Sequence, residues 1–210
     1  MKTEQIYVNG EEARIAAAMD KTMAFAELVG LNEKQSLRLR LIAEELLGLL
    51  SGITDNDYTA LFWIEGNARK CETHLAAKID MTAERREELL ATATSGRNEA
   101  AAGIMGKIRD MIGVGILGIN EAAGVTTDRG AGAMVFYDAG MSGAASEDGL
   151  SVWTLENYRD SLRDKYGDDG EEDDGSWDEL ERSIIANLAD DVRVAVRMDK
   201  VEIAVLKTFR

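Results

Sequence analysis

Proline is absent from this sequence, and cysteine and histidine each occur once. The lack of proline favours regular elements over rigid turns. A single cysteine, Cys71, excludes an internal disulfide and a metal cluster built from cysteines. The single histidine, His74, likewise excludes a catalytic arrangement or a metal site that needs several histidines, so we expect no metal site. Because the chain needs no oxidising environment, we expect it in the cytoplasm.

Basic residues are scarce, with 24 Lys and Arg against 39 Asp and Glu, and the formal net charge is -15. Nucleic-acid partners are excluded, because phosphate binding needs clustered Lys and Arg. Long apolar runs are lacking too. The nearest, at residues 104–119, is interrupted by charged residues, and residues 1–5 lack the apolar core of a signal peptide. We therefore expect no membrane partner and predict a protein partner with a basic surface.

Hydrophobic residues make up 45% of the chain, enough to fill a sizeable core. Their spacing alternates between helical and strand periods along the sequence. Gly66-Asn67 is predicted to turn the first hairpin. The predicted strands are residues 5–8, 58–64, 69–80, 191–197 and 200–207, and the predicted helices are residues 11–30, 38–50, 83–92, 98–112, 154–165 and 176–188.

This order predicts an α+β fold, in which helices cover one face of an antiparallel sheet. We expect one domain over residues 1–210, with a helical and glycine-rich insertion at about residues 113–178 before the last hairpin. The stretch 113–149 is rich in Gly and Ala and should be the least ordered part of the chain. The acidic run 168–174 lacks the ligand spacing of a calcium loop, so a solvated loop is expected there. Trp153 and Trp177 are expected to anchor the insertion.

Alternation along residues 69–80 separates a buried face from a face exposed to water. Cys71 falls on the buried face, where cysteine packs as a small apolar group. His74 falls on the opposite face, which predicts a surface position.

The helix at residues 38–50 is apolar but carries two adjacent carboxylates, Glu44 and Glu45. A buried charge is costly unless it is paired or has a function. Arg40 lies four residues before Glu44, within reach of a helical ion pair. Two interpretations of Glu44 are therefore compatible with the sequence: a functional carboxylate, or a member of a paired stripe on the helix surface.

The succession of a strand, a helix and a longer helix with a central glutamate resembles the opening of the histidine-kinase-like ATPase superfamily, above all its anti-sigma-factor serine kinase branch. The resemblance implies a Bergerat-type ATPase fold, with Glu44 as the base that activates water. In that family an asparagine four residues later holds magnesium. Gly48 stands at this position, which makes magnesium binding doubtful.

The resemblance also implies an adenine contact at Asp80, which follows the second strand of the first hairpin but lacks the family's glycines. Asp138 competes for this role, because it follows a short apolar run at residues 135–137 and keeps a glycine at Gly140. A helix N-cap is the structural alternative for Asp80.

The resemblance also implies a phosphate-binding loop at residues 95–107, where the family's glycine-rich motif is present in a weakened form. The alternative is an ordinary helix start followed by a Gly-x-x-Gly packing face. The residues that would contact the nucleotide phosphates are Gly96, Arg97, Gly103, Gly106 and Lys107.

Together these patterns predict a regulatory protein with a degenerate ATPase-type fold, which binds ATP or ADP weakly at best and acts through protein contacts. The resemblance implies a transcription regulator as partner, and a homodimer that pairs through the first strand and helix. We expect no efficient ATPase or kinase activity. The alternative is an active, ATP-binding serine/threonine protein kinase of the anti-sigma-factor type.

Overall fold

The structure, a computed structural model, describes residues 1–54, 59–78, 108, 112, 150–166, 183–197 and 200–210. The strands are β1 (Ile6–Val8), β2 (Thr59–Gly66), β3 (Lys70–Lys78), β4 (Leu150–Thr154), β5 (Asp191–Arg197) and β6 (Lys200–Thr208). The helices with described bounds are α1 (Glu12–Leu28), α2 (Glu33–Thr54), α3 (Leu155–Tyr166) and α4 (Ile184–Leu188). None of the helices in these ranges is long and apolar enough to cross a membrane.

The strands form a six-stranded sheet in the order β1-β2-β3-β6-β5-β4. β2 pairs antiparallel with β1 and β3, and β4 pairs antiparallel with β5. The predicted α+β class with an antiparallel sheet is confirmed.

The chain divides into two compact units. The first contains Met1–Ile79, Ile184–Val192 and Glu202–Arg210, and the second contains Asp80–Ser183 and Arg193–Val201. Strands β5 and β6 contribute residues to both. The single domain with an insertion at residues 113–178 stays a prediction.

The junction between α1 and α2 shows why two helices form here. Gly30 has a φ of 79° and ends α1 in the left-handed conformation that glycine adopts without strain. Asn32 then caps α2: its Oδ1 accepts from the Gln35 N–H at 3.0 Å, while Gln35 Oε1 accepts from the Asn32 N–H at 2.9 Å. This reciprocal capping satisfies two backbone donors, so α2 begins at Glu33.

Helix α2 buries one apolar face in the first unit, where it packs on α1, β3 and α4. Leu46 and Leu47 are 0% and 2% exposed, as their spacing predicts. The side chain of Leu50, which was expected beside them, lies outside the described residues.

The predicted terminal hairpin corresponds to β5 and β6. Its alternating apolar residues are all buried, which confirms the predicted buried face: Val192, Val194, Val196, Val201, Ile203 and Val205.

In the second unit, β4 was missed from the sequence, because five residues give too short an alternation to recognise. Helix α3 follows it directly, and Thr154 Oγ1 accepts from the Asn157 N–H at 3.1 Å at its start. Trp153 is buried, with its ring centroid 6.0 Å from that of Tyr158. Ile108 and Ile112, within the predicted helix 98–112, are helical and buried. The helix at 83–92, the run 135–137, residues 113–149, the acidic run 168–174 and Trp177 lie outside the described residues.

Gly66 begins the turn between β2 and β3, as predicted. It has a φ of 141°, and an added Cβ would lie 2.1 Å from the backbone oxygen of Lys70. Asn67 completes the turn, because its Oδ1 accepts from the backbone N–H groups of Arg69 and Lys70 at 2.8 and 3.2 Å. Only glycine fits the first position.

We expect Leu46→Ala to lower the free energy of unfolding by about 2–5 kcal/mol, because it leaves a cavity in the core of the first unit. Leu37→Ala is the matched control on the same helix, since Leu37 is 54% exposed. Urea unfolding followed by circular dichroism measures both. Equal losses would contradict the packing of α2.

We expect Gly66→Ala to destabilise the protein by at least about 1–3 kcal/mol, because alanine meets both the backbone strain and the Lys70 oxygen. Gly48→Ala is the control of opposite sign. Gly48 lies in the middle of α2 on its exposed side, and an added Cβ would have no atom within 4 Å. We therefore expect the free energy of unfolding to rise by about 0.5–1 kcal/mol. The two midpoints of urea unfolding should move in opposite directions.

Candidate functional site

Glu44 lies on the exposed side of α2, where Arg40 Nε donates to its Oε1 at 2.9 Å. The side chains of Arg40 and Glu44 are 45% and 41% exposed. The predicted helical ion pair is therefore present, and the role of Glu44 as a base stays a prediction. Gly48 follows on the same exposed stripe.

The other residues predicted to bind nucleotide lie outside the described part of the chain, so their roles stay predictions. These are Asp80, Gly96, Arg97, Gly103, Gly106 and Lys107, and the competing Asp138 is also among them.

His74 is 8% exposed, so the predicted surface position is wrong. Its partner across the β2–β3 pair is Trp63, and the two rings stack with centroids 4.8 Å apart and planes 3° from parallel. Alternation along β3 alone placed the imidazole on the face exposed to water, but in the structure the Trp63 indole covers it.

Two carboxylates approach the same ring nitrogen of His74. Nε2 lies 3.7 Å from Glu65 Oε1 and 3.6 Å from Glu72 Oε2. We call Glu65, Glu72 and His74 the His74 cluster; one ligand atom from each lies within 4.8 Å of the others. On the other side of the ring, Nδ1 lies 4.0 Å from Oε1 of Glu202, on β6. Neither ring nitrogen has a hydrogen-bond partner in the described part of the chain.

Lysines hold the outer oxygen of each carboxylate. Lys2 Nζ lies 3.1 Å from Glu65 Oε2, and Lys70 Nζ lies 3.3 Å from Glu72 Oε1. Lys2 also lies over the Trp63 ring, 5.2 Å from its centroid. The segment that carries Lys2 is fixed to the end of β2, where the Thr3 N–H donates to the Ile64 oxygen at 2.8 Å. The oxygens nearest His74 are therefore not the ones that the lysines bind.

Burial lowers the pKa of His74 below its ordinary value of 6.5, although Glu65, Glu72 and Glu202 each act to raise it. Desolvation penalises the charged imidazolium more than the carboxylates stabilise it. The ring is therefore neutral at neutral pH and keeps one nitrogen with a lone pair.

An open cleft of about 310 Å³ adjoins the cluster. Two of its lining residues, Glu65 and Glu72, belong to the cluster, and their side chains are 38% and 23% exposed. A small hydrated ligand can therefore reach both carboxylates from solvent. The remaining lining residues are Met1, Lys2, Gly66, Asn67 and Lys70.

Comparison with known proteins assigns this chain to no family. No family model matches the sequence, and no significant match is found among curated proteins or solved structures.

Cys71 is buried, as predicted, and its Sγ lies 3.3 Å from the Asn67 oxygen. Burial raises the pKa of this thiol to about 11. Since the thiolate is the reactive form, we expect the native protein at pH 8 to react with an aromatic disulfide reagent at least about 100-fold more slowly than the protein unfolded in urea. Release of the coloured thiol measures the rate, and Cys71→Ser is the blank. Equally fast reaction in both states would contradict the burial of Cys71.

Proposed function

We propose that this protein is a regulatory protein with a histidine-kinase-like ATPase type of fold, that it lacks the catalysis of that family, and that it acts through protein–protein contacts. The observation that carries the proposal is the exposed Arg40–Glu44 ion pair, one helical turn before a glycine that has no side-chain ligand. The α+β class and the two helices after the first strand also support it.

A general base must be able to take a proton from water beside the bound substrate. Glu44 instead accepts a hydrogen bond from a guanidinium group on a solvated helix face. Phosphoryl transfer also depends on magnesium to neutralise the developing charge on the phosphates. Gly48 supplies no side-chain oxygen for that ion. A nucleotide would therefore bind weakly, without magnesium and without turnover.

The net charge of -15 favours a partner with a basic surface, and the family resemblance suggests a transcription regulator. Charge complementarity accelerates such an encounter and makes its rate sensitive to salt. Pairing of two copies through β1 and α1 stays a prediction. It is compatible with the position of β1 at the end of the described strand order.

Restoring the missing ligand tests both the resemblance and the loss of function. We expect Gly48→Asn to bind ATP about 10- to 100-fold more tightly with magnesium than without it, because the amide oxygen returns one turn after Glu44. The wild type and Gly48→Ala should show no magnesium dependence. Calorimetric titration with ATP measures all three, and the open space around Gly48 leaves room for either side chain.

Two results would overturn parts of this proposal. Magnesium-dependent ATP turnover by the wild type that is lost in Glu44→Ala would show that the protein is an active enzyme. A Gly48→Asn variant that folds normally but binds no nucleotide at millimolar concentration would remove the ATPase resemblance, leaving a protein-interaction module.

A further inference from the structure

We propose that Glu65, Glu72 and His74 bind one divalent transition-metal ion of the zinc class. The imidazole Nε2, Glu65 Oε1 and Glu72 Oε2 are the three ligand atoms. The site belongs to the β2–β3 hairpin and uses neither Glu44 nor Gly48. It is therefore independent of the proposed regulatory function, and each proposal can fail without the other.

The spacing of the ligand atoms suits a metal ion better than a direct hydrogen bond. The separations of 3.6 and 3.7 Å are longer than an N–H···O hydrogen bond of about 2.7–3.2 Å. Two ligand atoms about 2.0–2.2 Å from a tetrahedral zinc ion lie about 3.3–3.5 Å apart. The two separations from Nε2 reach that spacing with shifts of a few tenths of an ångström. The two carboxylate oxygens, which lie within 4.8 Å of each other, reach it through a larger rotation of the flexible glutamate side chains.

The burial of His74 points to a ligand independently of the acidic residues. Its side chain is 10% exposed, yet neither ring nitrogen has a hydrogen-bond partner among the described residues. Buried polar atoms nearly always have a partner, and an unsatisfied one costs free energy. Nε2 lies 3.6 and 3.7 Å from two carboxylate oxygens, so a cation bound among these atoms would satisfy all three groups.

The surroundings of the cluster match those of known kinds of metal site. Glu202 lies on the Nδ1 side of the ring, where a carboxylate commonly accepts the second ring N–H of a ligating histidine. Lys2 and Lys70 bind the outer oxygens of Glu65 and Glu72 and so orient the inner ones.

The ligand set selects the class of ion. An imidazole nitrogen with two carboxylate oxygens suits zinc and related transition metals, whereas magnesium and calcium prefer oxygen ligands alone. Three protein ligands would leave a fourth tetrahedral position, which can hold water.

Zinc titration of the full-length protein, stripped of metal with a chelator, tests the site. We expect one equivalent of Zn²⁺ to bind saturably at micromolar concentration. His74→Phe keeps an aromatic ring against Trp63 and should weaken binding at least about 100-fold, while Glu65→Gln and Glu72→Gln should each weaken it at least about 10-fold. Glu44→Gln is the matched control and should change nothing, because it removes a carboxylate of similar exposure elsewhere.

A spectroscopic measurement locates the ion even if a variant is unstable. In a Trp153→Phe, Trp177→Phe background, Trp63 is the remaining tryptophan. Co²⁺ bound at Nε2 should quench its fluorescence, since the imidazole stacks on the indole with ring centroids 4.8 Å apart. Zn²⁺ should compete with Co²⁺ at one equivalent and restore the emission.

Three outcomes would overturn the proposal: no saturable zinc binding by the wild type, zinc binding of unchanged affinity in a folded His74→Phe variant, or saturable Co²⁺ binding without quenching of Trp63. Circular dichroism and urea midpoints establish whether each variant is folded. Loss of binding in His74→Phe together with site-specific quenching in the parent would support it.

Discussion

The pairing of β2 with β3 is the constraint on which the first unit and its candidate site depend. Its register aligns Trp63 with His74 and Glu65 with Glu72. A slip by one residue would turn every side chain of a strand to the opposite face of the sheet. The Gly66-Asn67 turn prevents such a slip, because the backbone at Gly66 comes too close to the Lys70 oxygen for any other residue. The geometry around the imidazole therefore follows from a turn several residues away.

The same register imposes an electrostatic cost. Glu65 and Glu72 stand directly opposite each other, and like charges in such a pair destabilise a sheet. Lys2 and Lys70 offset part of this cost by binding the outer oxygens. The inner oxygens still converge on a histidine whose burial favours its neutral form. Natural proteins keep such locally unfavourable arrangements mainly where they serve a function. For this reason the ion site is proposed at this cluster rather than at another charged group of the described residues.

Local patterns predicted much of the fold. The leucines of α2, the turn at Gly66 and the terminal hairpin follow from spacing along single elements, and so does the Arg40–Glu44 pair. The position of His74 does not, because its burial comes from Trp63 on the neighbouring strand. Alternation classifies each residue within its own strand and contains no information about what covers it from the next one.

For a related reason, the sequence did not show which carboxylates come together in a candidate site. Glu44 drew attention because it interrupts an apolar helix, but a residue with an exposed partner four positions away forms a solvated pair worth only a few tenths of a kcal/mol. Glu72 lies within the predicted strand 69–80 and Glu65 just after the predicted strand 58–64, and neither pattern marks them as a site. Their proximity to His74 and Lys2 arises only when β2, β3 and the N-terminal segment come together, and partial burial then strengthens the interactions among their charges. The convergence of charges around His74 is thus a property of tertiary contacts, whereas Glu44, which is conspicuous in the sequence, lies on a helix face exposed to water.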